Sequence, residues 1–348
     1  MKNVFYFKTI CHIGGCESWF WYLSKLYKNM IIYYREGHPE QIKRLAHNVE
    51  VHRYNGEFIE CDNFFCCYDP DIINNVIAKQ YHHIIHCDYK QVSFKPIMNP
   101  KFTNYIAVSK LAGESFKELT GVDYELIYNP IKIEKPKIEK KKDNILHLIS
   151  ATRLTKEKGL KRMQQLAKML DKNNIKYDWK IYTNKQRAGI GINVEYKEPK
   201  MNIINEIAQA DYLVQLSDCE AFCYSVIESL MVGTPVICTN LPVLKELNVK
   251  HGKNAIICDF NMNNVDIDMI KNKDFNFKYI PPKSNWNKYL DNNSNYNPTD
   301  YAKVRVKRGY TDIITKKYYS FGKIVENEIT KERASYLESK GIVECIYQ

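Results

Sequence analysis

Four side chains in the 348-residue chain carry chemistry by their type and setting: the cations Arg153 and Lys158, and the carboxylates Glu220 and Glu228. An arginine fork with a lysine point charge beside it suits a diphosphate; the plain alternative is a solvated surface pair. Two carboxylates next to an anion site would repel phosphate, so accepting hydrogen bonds from sugar hydroxyls is the more sensible job. Together the four suit a nucleotide-sugar better than a bare nucleotide.

The elements that must position them read as alternating strands and helices. Tyr212–Leu216 is a short apolar run bounded by polar residues, as in a buried parallel strand. A loop containing Glu220 follows, then a helical pattern with Val226, Ile227, Leu230 and Met231 on one face and Glu228 opposite. Gly233 and Pro235 end that helix, and Val236–Thr239 is the next strand. The amides of Phe222, Cys223, Tyr224 and Ser225 would open the helix unpaired, at its positive end, where a phosphate could sit. Upstream, Leu146–Ser150 is a strand whose loop carries Arg153 and Lys158 into a helix with Leu160, Met163, Leu166 and Leu170 inward.

The N-terminal half repeats the pattern. Val4–Phe7 is a strand, and Gly14-Gly15 reads as a tight turn or the start of a nucleotide-type unit. A helix follows from Ser18 to Tyr27 and a strand from Met30 to Tyr34. Asp69-Pro70-Asp71 predicts the capped start of a helix reaching about Gln80. His83–His86 is a strand, placing His86 at a carboxyl end where acid–base work is done; a structural histidine is the equal alternative. Strands at Tyr105–Ser109 and Leu126–Pro130 close this half, and the charged run Glu134–Asp143 is a linker.

Beyond Glu246, Asn254–Cys258 is a strand, and Asp266 with Asp268 is an acidic pair discounted because it lies in a helical region. Ser284–Leu290 is a short helix, followed by an Asn-rich loop to Asp300. Alternating strands and helices on both sides of one linker mean two parallel-sheet α/β domains, at 1–135 and 144–300, with a small β-rich appendage at 303–348.

Composition narrows the partners. A formal net charge of +11 suggests an anionic partner, namely nucleotide phosphates, a membrane surface touched peripherally or nucleic acid; a lysine-rich solvated surface is the plainer reading. Eleven cysteines show no C-x-x-C pair, and several lie in apolar runs as buried free thiols do, so a reducing interior is expected. His82, His83 and Asp88 have no spacing that suits a metal, so no metal ligands are assigned. Too few apolar residues open the chain for a signal peptide or membrane span, so a cytoplasmic protein is expected.

These residues resemble a family, the retaining glycosyltransferases of the GT4 type (glycosyl transferases group 1). Glu220-x7-Glu228 with Gly233-Thr-Pro-Val is similar to the family's E-x7-E signature, and Arg153-Leu-x3-Lys158-Gly159 to its diphosphate cations. Gly14-Gly15-Cys-Glu17 is similar to its N-terminal glycine loop, and Val108-Ser109 and Asn129-Pro130 to its usual waypoints. The resemblance implies a GT-B fold of two facing Rossmann-like domains. It implies metal-independent transfer, with retention, of a sugar from a nucleotide-diphosphate donor such as a UDP-sugar, without a further cofactor. The acceptor would be a glycan, a protein or DNA. It assigns Glu228 to the ribose, Glu220 to the transferred sugar, Arg153 and Lys158 to the diphosphate, Gly15 to donor binding and His86 to the acceptor side. Ala221 and Cys223 stand where the family carries glycines. A non-catalytic nucleotide-sugar or glycan binder, or an epimerase of the same fold, is the alternative. The terminal stretch with Gly322 and Glu332-Arg-Ala-x2-Leu337-x3-Gly341 looks like appendages of phage-encoded proteins.

Overall fold

The computed structural model describes residues 1–141, 143–184, 189–291, 301–312 and 317–345. The Asn-rich loop to Asp300 lies almost wholly outside them. The chain divides into two compact units: Met1–His83 with Pro100–Thr103 and Asn287–Gln348, and Ile84–Asn99 with Asn104–Trp286.

In the first unit, β1 (Asn3–Phe7) leads through the two-residue β2 (Thr9–Ile10) into α1 (Gly15–Leu26). Then come β3 (Met30–Tyr34), the short β4 (Glu36–Gly37), α2 (Pro39–Ala46), β5 (Glu50–Arg53), β6 (Ile59–Cys67) and β7 (Val76–Ile85), which carries the chain into the second unit. The strand order is β5-β3-β1-β6-β7, with β1 parallel to β3 and β6. Chain order reverses between β1 and β6. Phe5 stacks on Phe65 of β6 with ring centroids 4.4 Å apart and meets Trp19 and Phe20 of α1 edge-on, so the apolar face of α1 seals the sheet.

The helix expected from Asp69 to Gln80 is absent. A single 3-10 turn at Ile73–Asn75 is followed directly by β7. An Asp-Pro-Asp start serves a turn as well as a helix, and the β-branched Val76 and Ile77 favour extended backbone. The two aspartates serve charge instead: Asp69 pairs with Lys8 at 2.6 Å and Asp71 with Arg35 at 2.6 Å.

The second unit opens with β8 (Asn104–Ala107), α3 (Lys110–Thr120) and β9 (Glu125–Leu126), a two-residue remnant of the strand expected to reach Pro130. Its main sheet is built from β10 (Leu146–Ala151), α4 (Leu160–Lys172), β11 (Tyr177–Tyr182), β12 (Val194–Lys197), α5 (Ile204–Gln209), β13 (Tyr212–Gln215), α6 (Tyr224–Val232) and β14 (Val236–Thr239). After α7 (Val243–Glu246), β15 (Ala255–Cys258) completes it and α8 (Ile267–Asn272) follows. The order is β12-β11-β10-β13-β14-β15, all parallel. Leu148, Trp179, Ile181 and Val214 from the strands pack with Met163, Leu166 and Leu170 of α4 in one core. The discounted acidic pair is structural: Asp266 caps α8, accepting from the Met269 amide at 2.7 Å.

The C-terminal stretch is β16 (Tyr301–Val306), β17 (Tyr310–Thr311), β18 (Tyr318–Tyr319), β19 (Ile324–Thr330), α9 (Lys331–Ser339) and β20 (Val343–Cys345). It forms an antiparallel β19-β16-β20 sheet with a small core of its own around Val304, Tyr319, Val325 and Leu337. All eleven cysteines are free, and most are buried.

Candidate active site

In the second unit the strand order reverses between β10 and β13, which lie side by side with Leu148 opposite Tyr212. Loops leaving the carboxyl ends of two such strands diverge to opposite faces of the sheet and open a crevice where ligands of open α/β sheets bind. The loop after β10 carries Arg153 and Lys158; the loop after β13 carries Glu220. The topology therefore brings together residues far apart in the chain.

Lys158 and Glu220 meet directly, Nζ to Oε1 at 2.7 Å, with only 19% and 16% of the side chains exposed. Three donors converge on that Oε1: Lys158, the Ser217 hydroxyl at 2.8 Å and the Gln215 amide at 3.1 Å. Burial is the largest influence on the Lys158 ammonium and acts to lower its pKa, but the charge and hydrogen bond of Glu220 outweigh it, and the net shift is upward. Lys158 is thus held charged. The carboxylate does not stand beside an uncompensated anion site; its partner lysine neutralises it.

Both loops are pinned. Gly159, at φ +81°, opens α4 in the left-handed region, and a Cβ there would lie 1.8 Å from the Leu216 carbonyl oxygen. Only glycine lets the two backbones approach this closely. The Leu216 carbonyl also accepts from Arg162 Nε at 2.8 Å, while the Arg162 guanidinium holds Asp218. The Glu157 carbonyl accepts from the Asp218 amide at 2.8 Å, and Thr239 of β14 donates to the Ser217 carbonyl at 2.6 Å.

Arg153 behaves differently. Its side chain is 66% exposed and reaches Glu157 at 3.8 Å, a loose surface contact. Its positive charge nonetheless acts on Lys158, so the two cations share one neighbourhood. Glu228 is half-buried on α6, while Val226, Ile227 and Leu230 of that helix are fully buried.

At the start of α6, Cys223 is the N-cap with φ +59° and ψ +65°, a left-handed conformation carried by a residue with a Cβ. Its buried thiol is pushed well up by desolvation. Phe222 and Tyr224 meet edge-on at 5.1 Å, and the Tyr224 hydroxyl donates to the Pro130 carbonyl at 3.1 Å, tying the Asn129-Pro130 segment to this helix. Ser225 donates to Gln215 Oε1 at 3.1 Å, closing a chain of hydrogen bonds from α6 to Glu220. Sequence reasoning did not single out Gln215, Ser217, Asp218 or Arg162; the only signal for the first three was their place where a strand runs out into a loop.

His86 follows β7 immediately and is half-buried, within the second unit. Asp88, two residues on, acts electrostatically on Cys219, so this strand end shares surroundings with the Glu220 loop. Ser109 caps α3, accepting from the Ala112 amide at 3.1 Å, and Glu246 takes the Lys110 and Leu111 amides at 2.7 and 3.0 Å. The Val108-Ser109 waypoint is therefore a helix cap already furnished with its own anion.

Gly15 lies in the first unit as the first residue of α1, and nothing comes within 4 Å of a Cβ placed on it. Its neighbour Gly14 is the constrained one. A Cβ there would meet Glu17 Oε2 at 2.3 Å, and Glu17 folds back to accept the Cys11 amide at 2.7 Å.

Residues 131–270 match the family model described as glycosyl transferases group 1. This segment is therefore similar to a group 1 glycosyl transferase domain. It spans β10 to β15 and so contains Arg153, Lys158, Glu220 and Glu228. Among solved structures, the chain is similar to HepE of Anabaena in complex with UDP and glucose: 14% identity, TM-score 0.62, covering 78% of this chain and 89% of that one. It is also similar to a glycosyltransferase from Rickettsia africae (14% identity, TM-score 0.55, 75% and 84% covered). A third is the lipopolysaccharide outer core galactosyltransferase WaaB (14%, TM-score 0.53, 78% and 94% covered). No curated protein sequence matches the chain significantly. The likeness shows the GT-B fold. Among the described residues no helix is long and apolar enough to cross a membrane.

Proposed function

We propose that the protein is a glycosyltransferase of the GT4 type that moves a hexose, with retention and without a metal, from a nucleoside diphosphate sugar to an acceptor. The observation that carries this reading is the charge-neutralised Lys158–Glu220 pair at the switch point of the β10–β13 sheet. A donor's diphosphate draws on the cations of the β10 loop: Lys158 is held protonated, and the exposed Arg153 is free to swing toward phosphate from its loose contact with Glu157. As the bond to the leaving diphosphate stretches, these charges stabilise it in a site fixed beforehand, which is where most electrostatic rate gain arises. Among the described residues no donor reaches Glu220 Oε2, so that oxygen is available to a sugar hydroxyl while Oε1 stays anchored. There the carboxylate also supports positive charge growing at the anomeric carbon. Glu228, one helical turn into α6, takes the ribose hydroxyls; the amides of Phe222 to Ser225 at the start of α6 complete the donor contacts within this unit; His86 serves the acceptor side.

HepE and its UDP complex make uridine diphosphate sugars the first donors to try. Release of free nucleoside diphosphate from a panel of UDP-, GDP- and ADP-sugars tests the proposal. Donor-specific release that Lys158→Met abolishes supports it. Neither hydrolysis nor nucleotide binding with any donor sinks it, and binding without turnover in the presence of varied glycan acceptors would replace it with a non-catalytic binder.

A further inference from the structure

The first unit holds a second constellation that the donor chemistry does not use. The parallel pairing of β2 with β4, Thr9 opposite Glu36 and Ile10 opposite Gly37, carries two loops out side by side. His12 lies just beyond Ile10 and His38 just beyond Gly37. Their rings come within 4.1 Å, centroid to centroid. His38 is the N-cap of α2, Pro39 sets the first helical residue, and Glu40 in the first turn reaches back, Oε2 to His12 Nε2 at 3.1 Å.

One ring nitrogen of each histidine and a Glu40 carboxylate oxygen all lie within 4.8 Å of one another. The scaffold beneath them is tight. A Cβ on Gly37 would meet Ile42 at 2.7 Å, and the His38 amide donates to the Ile10 carbonyl at 2.9 Å. His38 Nδ1 is buried with no hydrogen-bond partner. A buried ring nitrogen left unsatisfied beside a second imidazole is costly unless something bridges them.

We propose that His12, His38 and Glu40 bind a divalent transition-metal ion of the zinc class. Two imidazoles and one carboxylate form a ligand set that suits zinc, with a fourth position left to water or a ligand. Tetrahedral zinc with bonds of about 2.1 Å holds its ligand atoms about 3.4 Å apart. Rotation of the exposed His12 and Glu40 side chains, 36% and 70% accessible, closes the difference. The ion would cross-link the loop that leads into Gly14 to the start of α2. The site shares no residue with the donor constellation and stands or falls independently of the transfer reaction.

Titration of metal-free full-length protein with Zn2+ by calorimetry, and with Co2+ by visible absorption, tests this. The expected result is one ion per chain, with a tetrahedral Co2+ spectrum lacking a thiolate charge-transfer band. His12→Ala and His38→Ala should each weaken binding at least about 100-fold, and Cys11→Ser should leave it unchanged. His12 is at the surface, so its variant reports on binding even if the His38 variant fails to fold. No stoichiometric binding, equal affinity in His12→Ala, or binding lost in Cys11→Ser with a thiolate band in the wild type would overturn the assignment.

Discussion

Gly159→Ala is the sharpest probe of how the fold holds its site. The added methyl would sit 1.8 Å from the Leu216 carbonyl oxygen, whereas real Cβ atoms stay beyond 3.0 Å, so the two loops must separate by at least about 1 Å. The left-handed backbone at φ +81° costs an alanine about 1–2 kcal/mol. Displacing Leu216 also strains its bond from Arg162, a charge-assisted hydrogen bond contributing about 1.5–3 kcal/mol. Together these amount to a loss of up to about 2.5–5 kcal/mol of stability. Because Gly159 directly follows Lys158, and Leu216 leads to Ser217 and Glu220, the same movement opens the Lys158–Glu220 pair. Misplacement on this scale costs on the order of 100-fold in rate. Urea denaturation reads the first effect and nucleoside diphosphate release from the accepted donor reads the second. A variant within about 1 kcal/mol of wild type with unaltered turnover would show that the close approach of these backbones is not what holds the site.

Three further outcomes follow from the same geometry. Lys158→Met should weaken nucleoside diphosphate binding about 10- to 100-fold, whereas Glu220→Gln, which releases Lys158 from its counter-charge, should keep or improve that binding yet lower turnover about 100-fold; parallel binding and rate measurements separate the two. Cys223→Gly should be more stable than Cys223→Ala by about 1 kcal/mol, since both lose the thiol but only glycine relieves the left-handed backbone; equal thermal denaturation midpoints would refute the strain. The Lys158 pKa is raised in the folded state, so its pair contributes fully below its ordinary value of 10.5 and loses that contribution as pH rises through the higher folded value. Stability measured between pH 8 and about 11.5 should therefore fall more steeply in wild type than in Lys158→Met.

Much of the fold is legible along the chain because its signals are local. The apolar runs at Met30–Tyr34, Tyr212–Gln215 and Val236–Thr239 are strands as their composition implies, and Gly233 ends α6 in the left-handed conformation expected of it. Some local signals serve two structures, and tertiary contacts choose between them. Asp69-Pro70-Asp71 starts a turn rather than a helix because Lys8 and Arg35 hold its carboxylates, and β7 claims the β-branched residues that follow. Val108-Ser109 is recognisable from its residues, but its work as a cap, with Glu246 filling the adjacent amides, depends on a residue 136 positions away.

For the site the division is similar. Residue type and the polar ends of apolar runs sufficed to single out Arg153, Lys158, Glu220 and Glu228, since strand ends that enter helices are where α/β sheets work. No local pattern could say that Lys158 and Glu220, 62 residues apart, form one ion pair, or that Gln215, Ser217 and Ser225 hold it. That was decided by strand order, because β13 lies beside β10 although four elements, α4, β11, β12 and α5, intervene between them in the chain. Likewise His12 and His38 are unremarkable in sequence, and only the pairing of β2 with β4 sets their rings together. Types and local periodicity are properties of the chain; proximity between distant residues is a property of the packed sheet, where burial and register choose the neighbours.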